Sequence, residues 1–233
     1  MATNLKSLAK DTAIYGVSSI FGRFLNYLLV PLYTATLSAA SGGYGVITNL
    51  YAWTALLLVI LTYGMETTFF RFANKADEDA EKVYSTTLVS VGATALMFVA
   101  AVVGFLPSIS SALGYADHQS WVVSMAIIVA LDAFQAIPFA YLRYKKQPIK
   151  FAGLKLAFIF INILLNLLYF LILPVMKCNL FGIYDDHFTL NVGYVFYINL
   201  VTTGGITFLF WKELLCIKWR FDWALLKRML GYS

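Results

Sequence analysis

The chain has 233 residues, of which 61% are hydrophobic and 12% charged, with a formal net charge of +5. Soluble domains hold about twice that share of charge, and one small core could not bury so much apolar surface. The composition therefore excludes an ordinary water-soluble domain and predicts a polytopic membrane protein with the bilayer as its solvent. The excess of cations is segregated by loop, which makes it a topology signal and requires no nucleic-acid partner.

Six apolar stretches of about 20 residues or more lie near 12–37, 44–66, 84–106, 120–142, 150–173 and 190–211, each long enough to cross a hydrocarbon core about 30 Å thick. None shows the strict alternation over about ten residues that a transmembrane strand needs, so the expected fold class is all-α. Pro31, Pro138 and Gly193 interrupt or soften these helices, which is tolerated where neighbours or water satisfy the freed carbonyls.

The first stretch follows Lys6 and Lys10 and ends in the small residues TLSAAS, flanks that resemble those of a secretory signal. Its apolar run is far longer than a signal core of about 7 to 15 residues, and it contains Arg23 and Asn26, so it reads as a retained helix. Arg23 lies about eleven residues into it. A guanidinium facing lipid there costs from about 3 to more than 10 kcal/mol, so it faces protein or a water-filled cavity and marks a candidate anion site. Ser19 and Asn26 share its helical face and extend a polar stripe.

Glu66 closes the second stretch at its inner end, with Arg71 close behind. It reads either as a gate at an inner mouth or as half of a local pair with Arg71, and an interfacial carboxylate costs little. Tyr51 and Trp53 could stack on a sugar ring, although packing in an aromatic belt is the plainer account. In the fourth stretch, Asp132 lies roughly 18 Å from the outer face, while Arg23 lies roughly 16 Å from the inner one, so both fall near the midplane. Either they form a buried ion pair that fixes helix packing, or both line one cavity in which Asp132 limits how strongly Arg23 holds an anion. Gln135 faces the same way as Asp132, as does Asn162 with Asn166 on the fifth stretch. Such pairs commonly hydrogen-bond between helices.

Lys6 and Lys10 precede the first stretch. Arg71, Lys75 and Lys82 lie between the second and third, and Arg143, Lys145, Lys146 and Lys150 between the fourth and fifth. Lys212, Lys218, Arg220, Lys227 and Arg228 follow the sixth, and the alternate loops are nearly bare of cations. The positive-inside bias predicts a multi-pass protein with both termini in the cytoplasm. In that topology Cys178 is outside and Cys216 inside, so they cannot pair. His118 and His187 fall in outer loops without a second ligand at metal spacing, and no zinc motif, Gly-rich phosphate loop or nucleophile elbow is present. The expectation is a protein that is not an enzyme and takes no metal or cofactor.

The runs GRFLNYLLVPLYTATLS, GGYGVITN, YGMETTFFRF and PFAYLRYKKQPIKFAGLKLAFIFINILLNL fall in register across the first, second, fourth and fifth stretches. In them the chain resembles the amino-terminal half of bacterial polysaccharide-biosynthesis flippases of O-antigen type, within the multidrug, oligosaccharidyl-lipid and polysaccharide exporter superfamily. The sixth stretch matches by pattern only. The resemblance implies two pseudo-symmetric lobes of six helices around a central cationic cavity that opens alternately to each side. It also implies passage of undecaprenyl-pyrophosphate-linked oligosaccharides across a bacterial inner membrane, with polysaccharide polymerase and glycosyltransferases as partners. Arg23 would hold the pyrophosphate, with Asn26 and Asp132 beside it, through contacts that Lys would imitate poorly.

On this reading residues 1–211 form a six-helix lobe, and 212–233 form a basic amphipathic cytoplasmic linker with Leu214, Ile217, Phe221, Leu225 and Met229 at helical spacing. The resemblance implies a second lobe beyond Ser233, so the chain is expected to be part of a longer protein. The alternatives are a half-length protein that dimerises and an inactive remnant. An interfacial helix lying on anionic lipid accounts for the same stripe. Two other functions stay open: a cation-coupled drug exporter of the same superfamily that depends on Asp132, and a non-transporting scaffold for polysaccharide assembly.

Overall fold

The computed structural model describes residues 13–17, 28–37, 43–176, 190–215 and 221–232, and among these it is all-α, without a strand. Residues 13–17 are helical, and α1 (Leu29–Thr36) carries Pro31 in its first turn, where no intrahelical N–H bond is lost. Then α2 (Gly43–Thr62) and α3 (Met65–Ala73) are separated by Tyr63 and Gly64, both at positive φ, +30° and +69°. Glycine suits the left-handed position that opens α3, and the Tyr63 hydroxyl is tied to Ser90 Oγ at 2.7 Å.

Asp79 caps α4 (Ala80–Gly104), its carboxylate accepting from the Glu81 N–H at 3.0 Å. There follow α5 (Leu106–Ala112), the 3₁₀ turn Ala116–His118, α6 (Gln119–Tyr144) and α7 (Pro148–Leu167). The last of these runs through a π-helical turn, Leu168–Ile172, into α8 (Leu173–Met176). After it come α9 (Gly193–Leu209), α10 (Trp211–Leu215) and α11 (Trp223–Leu230).

Four helical runs are long and apolar enough to cross a membrane: Gly43–Ala73, Ala80–Gly104, Ala116–Tyr144 and Pro148–Met176. They correspond to the second to fifth expected stretches. The first stretch lies largely outside the described residues, and the sixth is helical over 17 residues, Gly193–Leu209. Large apolar side chains on these runs face outward, Val59 being 70% exposed, Leu96 72% and Phe208 77%. Soluble monomers seldom expose apolar surface on this scale, and a bilayer is the solvent that fits it.

The chain divides into two compact units. The first comprises the described parts of Met1–Ala52 and Pro148–Thr202, and the second those of Trp53–Gln147 and Thr203–Ser233. Within the first unit, Tyr33 packs edge-on against Phe170 with ring centres 5.5 Å apart, and Tyr169 stacks on Tyr194 at 4.1 Å.

The second unit has an apolar core of Met65, Phe69 and Phe72 from α3, Val83, Leu88 and Val91 from α4, and Val129, Ala133 and Ile137 from α6. Here α4 runs so close to α6 that a Cβ on Gly92 would lie 3.3 Å from the Phe134 ring. The same core takes in Leu225 and Met229 of α11, both at 0% exposure, and Leu226 at 5%. Within 212–233, read from the sequence as a basic amphipathic cytoplasmic linker, α11 packs into this unit. Of the expected stripe, Leu214 packs against the core, Phe221 remains 45% exposed, and Ile217 lies outside the described residues.

Candidate functional site

Arg23 and Asn26, the centre of the expected anion site, lie outside the described residues, as do Ser19, Cys178, His187 and Cys216. Asp132 is described. It is half-buried and midway along the 26 residues of α6, which puts it roughly 19 Å from either helix end.

One turn further on, Gln135 ties α6 to α9. Its amide donates to the Thr203 carbonyl at 3.0 Å and to the Thr207 hydroxyl at 2.7 Å, and that hydroxyl in turn donates to the Thr203 carbonyl at 2.8 Å. This is the interhelical role that its spacing from Asp132 suggested. Next to it is a cleft of about 550 Å³ lined by Leu131, Gly204, Thr207, Phe208, Trp211 and Leu214. Apart from Thr207 that lining is apolar, and none of its residues is a cation.

Glu66, read as a gate or as half of a local pair, has Arg143 in the last turn of α6 as its partner rather than Arg71. Helix geometry explains the difference. Residues five apart on α3 point to different sides, whereas pairing needs a spacing of three or four. Arg71 lies 3.8 Å over the Tyr232 ring, and the Arg143 guanidinium also sits 5.3 Å from the Phe70 ring centre. The Glu66–Arg143 pair is partly open to solvent, with side chains 40% and 33% exposed.

In the first unit, Asn162 and Asn166 are buried together. The Asn166 amide donates to the Asn162 carbonyl at 2.8 Å and to its side-chain oxygen at 3.2 Å. Asn166 Oδ1 accepts from the Tyr33 hydroxyl at 2.7 Å, a buried bond between two helices. Tyr51 accepts from the Asn199 amide at 2.7 Å and has its ring 6.3 Å from Phe196, which favours packing over sugar stacking for this residue. Tyr33, Asn199 and Arg143 were missed as polar partners, because an aromatic, an amide or a terminal cation in an apolar helix announces no particular mate.

Near the end of the second unit, Asp222 caps α11 by accepting from the Leu225 N–H at 3.0 Å, and it pairs with Lys82 at 2.5 Å. The hydrogen bond from Lys82, with help from the backbone donors, holds its carboxyl below the ordinary carboxylate range. His118 is stacked on Trp121 at 3.9 Å. Among the described residues no group of three His, Cys, Asp or Glu side chains is placed to hold a metal.

Compared with models of protein families, with curated proteins and with solved structures, the chain finds no match in any of the three.

Proposed function

We propose that the chain is one lobe of a flippase that passes undecaprenyl-pyrophosphate-linked oligosaccharide units from the cytoplasmic to the periplasmic leaflet of a bacterial inner membrane, for surface polysaccharides such as the O-antigen of lipopolysaccharide. The observation that carries the reading is Arg23, a guanidinium about eleven residues into an apolar stretch, within the run GRFLNYLLVPLYTATLS. A charge at that depth needs a functional or structural partner, and a planar fork of donors suits a pyrophosphate. The all-α architecture and the four membrane-length helices agree with this at a coarser level. Asp132 gives the exporter reading its support, because a carboxylate midway along α6 is where a coupling proton or sodium ion would act.

In this mechanism Arg23, near the midplane, binds the pyrophosphate while the site is open to the cytoplasmic side, and the site is then exposed to the other leaflet. Release is favoured because water entering the opened site offsets the charge attraction. The test uses the uninterrupted coding frame in cells lacking their own polysaccharide flippase, comparing the parent with Arg23→Ala and Arg23→Lys at matched membrane abundance. Lipid-linked repeat units accessible on the outer leaflet should be restored by the parent and fall at least tenfold in both variants. A parent that restores nothing removes the substrate assignment. Variants equal to the parent remove Arg23 from the site. In a drug-efflux assay of the same cells, activity of the parent that is more sensitive to Asp132→Asn than to Arg23→Ala favours the exporter.

A further inference from the structure

The face of α11 that packs into the second unit is fully used by Leu225, Leu226 and Met229. Two charged ties hold the helix in place: Asp222 to Lys82 at 2.5 Å and Arg228 to Glu78 at 2.6 Å. The Asp222 N–H also donates to the Thr86 hydroxyl at 3.3 Å. Lys82 and Thr86 are the third and seventh residues of α4, a helix long enough to cross a membrane. These contacts place the start of α11 within roughly 10 Å of the end of that helix, close to the headgroup layer of about 5–8 Å that flanks each side of a hydrocarbon core.

Another side of α11 remains open at that depth. Trp223, Lys227 and Leu230 follow one another at spacings of four and three, so they form one stripe. Trp223 is 60% exposed and Leu230 45%, Lys227 is exposed, and Phe221 stands before them at 45% with its ring 6.0 Å from Trp223. Arg228 leaves the helix on another side, where Glu78 takes up its charge. Tryptophan favours the membrane–water boundary. Between Trp211 and Tyr232 the sequence holds five basic residues against two acidic ones.

We propose that this stripe is a seat for anionic phospholipid headgroups: Trp223 and Leu230 enter the boundary of the acyl region, and Lys227 meets a lipid phosphate. The lipid therefore lies against a second flank of the helix, and the stripe of Leu225 and Met229 faces protein. The proposal does not depend on what the protein transports.

The full-length protein is placed in bilayers of neutral phosphatidylcholine containing a rising fraction of phosphatidylglycerol brominated near the headgroup. Trp223 emission is isolated as the difference between the parent and Trp223→Phe. Quenching should saturate at a low fraction of the brominated anionic lipid, while brominated phosphatidylcholine quenches only in proportion to its abundance. Lys227→Gln should raise the half-saturating fraction about fivefold, the weight of one cation near an anionic surface. Both substitutions fall on exposed positions, and a melting curve for each verifies that the unit is intact. Equal quenching by the two lipids, or no shift in Lys227→Gln, overturns the anionic seat. A Trp223 that neither lipid quenches overturns it as well and shows that protein covers the stripe.

Discussion

The two compact units hold apolar helices together by different means. In the first, three ties join neutral side chains within the helices: Tyr33 to Asn166, Asn199 to Tyr51, and the stack of Tyr169 on Tyr194. In the second, a continuous apolar core joins α3, α4, α6 and α11, and charge gathers near the α3–α4 turn and the end of α6 as Glu66–Arg143, Glu78–Arg228 and Lys82–Asp222. Amides and hydroxyls are bearable at depth when each finds a partner, whereas ion pairs are placed where water can reach them. Asp132, half-buried midway along α6, is a charge carried at depth in the second unit.

The sharpest way to break the comparison is to cut into the second core. Met229→Ala removes a fully buried side chain and is expected to destabilise the protein by about 2–5 kcal/mol, measured by reversible unfolding in detergent or lipid. A change within about 0.5 kcal/mol would mean that α11 is a bystander to the unit.

A smaller effect is expected in the first unit. Tyr33→Phe takes the donor away from Asn166 without changing the ring that packs on Phe170. In a membrane such bonds average about 0.6 kcal/mol and reach about 1.7, so the same unfolding assay should show a loss in that range. A loss as large as that of Met229→Ala would show that this neutral bond carries as much as a core side chain.

The smallest effect is one of pH. The Asp222 carboxyl is held below its ordinary value of 3.8 by Lys82, so its folded form stays ionised longer than its unfolded form as acid is added. Its contribution is complete above that ordinary value and is lost as pH falls through the lowered one. The stability difference between the parent and Asp222→Asn should therefore be flat from about pH 7 to pH 5 and shrink below about pH 4. A difference that persists unchanged in strong acid would assign the effect to the shape of the cap and remove charge from it.

Helix positions from the second to the fifth stretch were legible because apolar runs this long leave few other structures, and Asp132 could be placed mid-helix by counting residues. Partners were harder to read. Glu66 had a cation five residues away in sequence, but its mate is Arg143, 77 residues on. The stripe of Leu225 and Met229 announced an amphipathic helix, yet the pattern is the same whether the apolar side meets lipid or protein. The core residues Met65, Phe69 and Val83 on the other side of that contact decide it. Tyr33 was unreadable as a partner of Asn166 because nothing in an apolar run fixes which helix comes alongside.

The π-helical turn also bears on any helical wheel drawn for the fifth stretch. At Leu168–Ile172 the Leu173 N–H reaches back five residues to the Leu168 carbonyl. Such a turn holds one residue more than the α-helix around it, and one residue is about 100° of rotation. A wheel with uniform spacing from Pro148 to Met176 therefore assigns the wrong compass bearing to everything on the far side of the turn. A single-residue deletion inside Leu168–Ile172 would therefore take up that extra residue and let the helix run on as α, leaving Leu173, now 3% exposed, and its successors on the faces they hold, whereas the same deletion in the α-helical run before Leu168 would swing them together by about 100°.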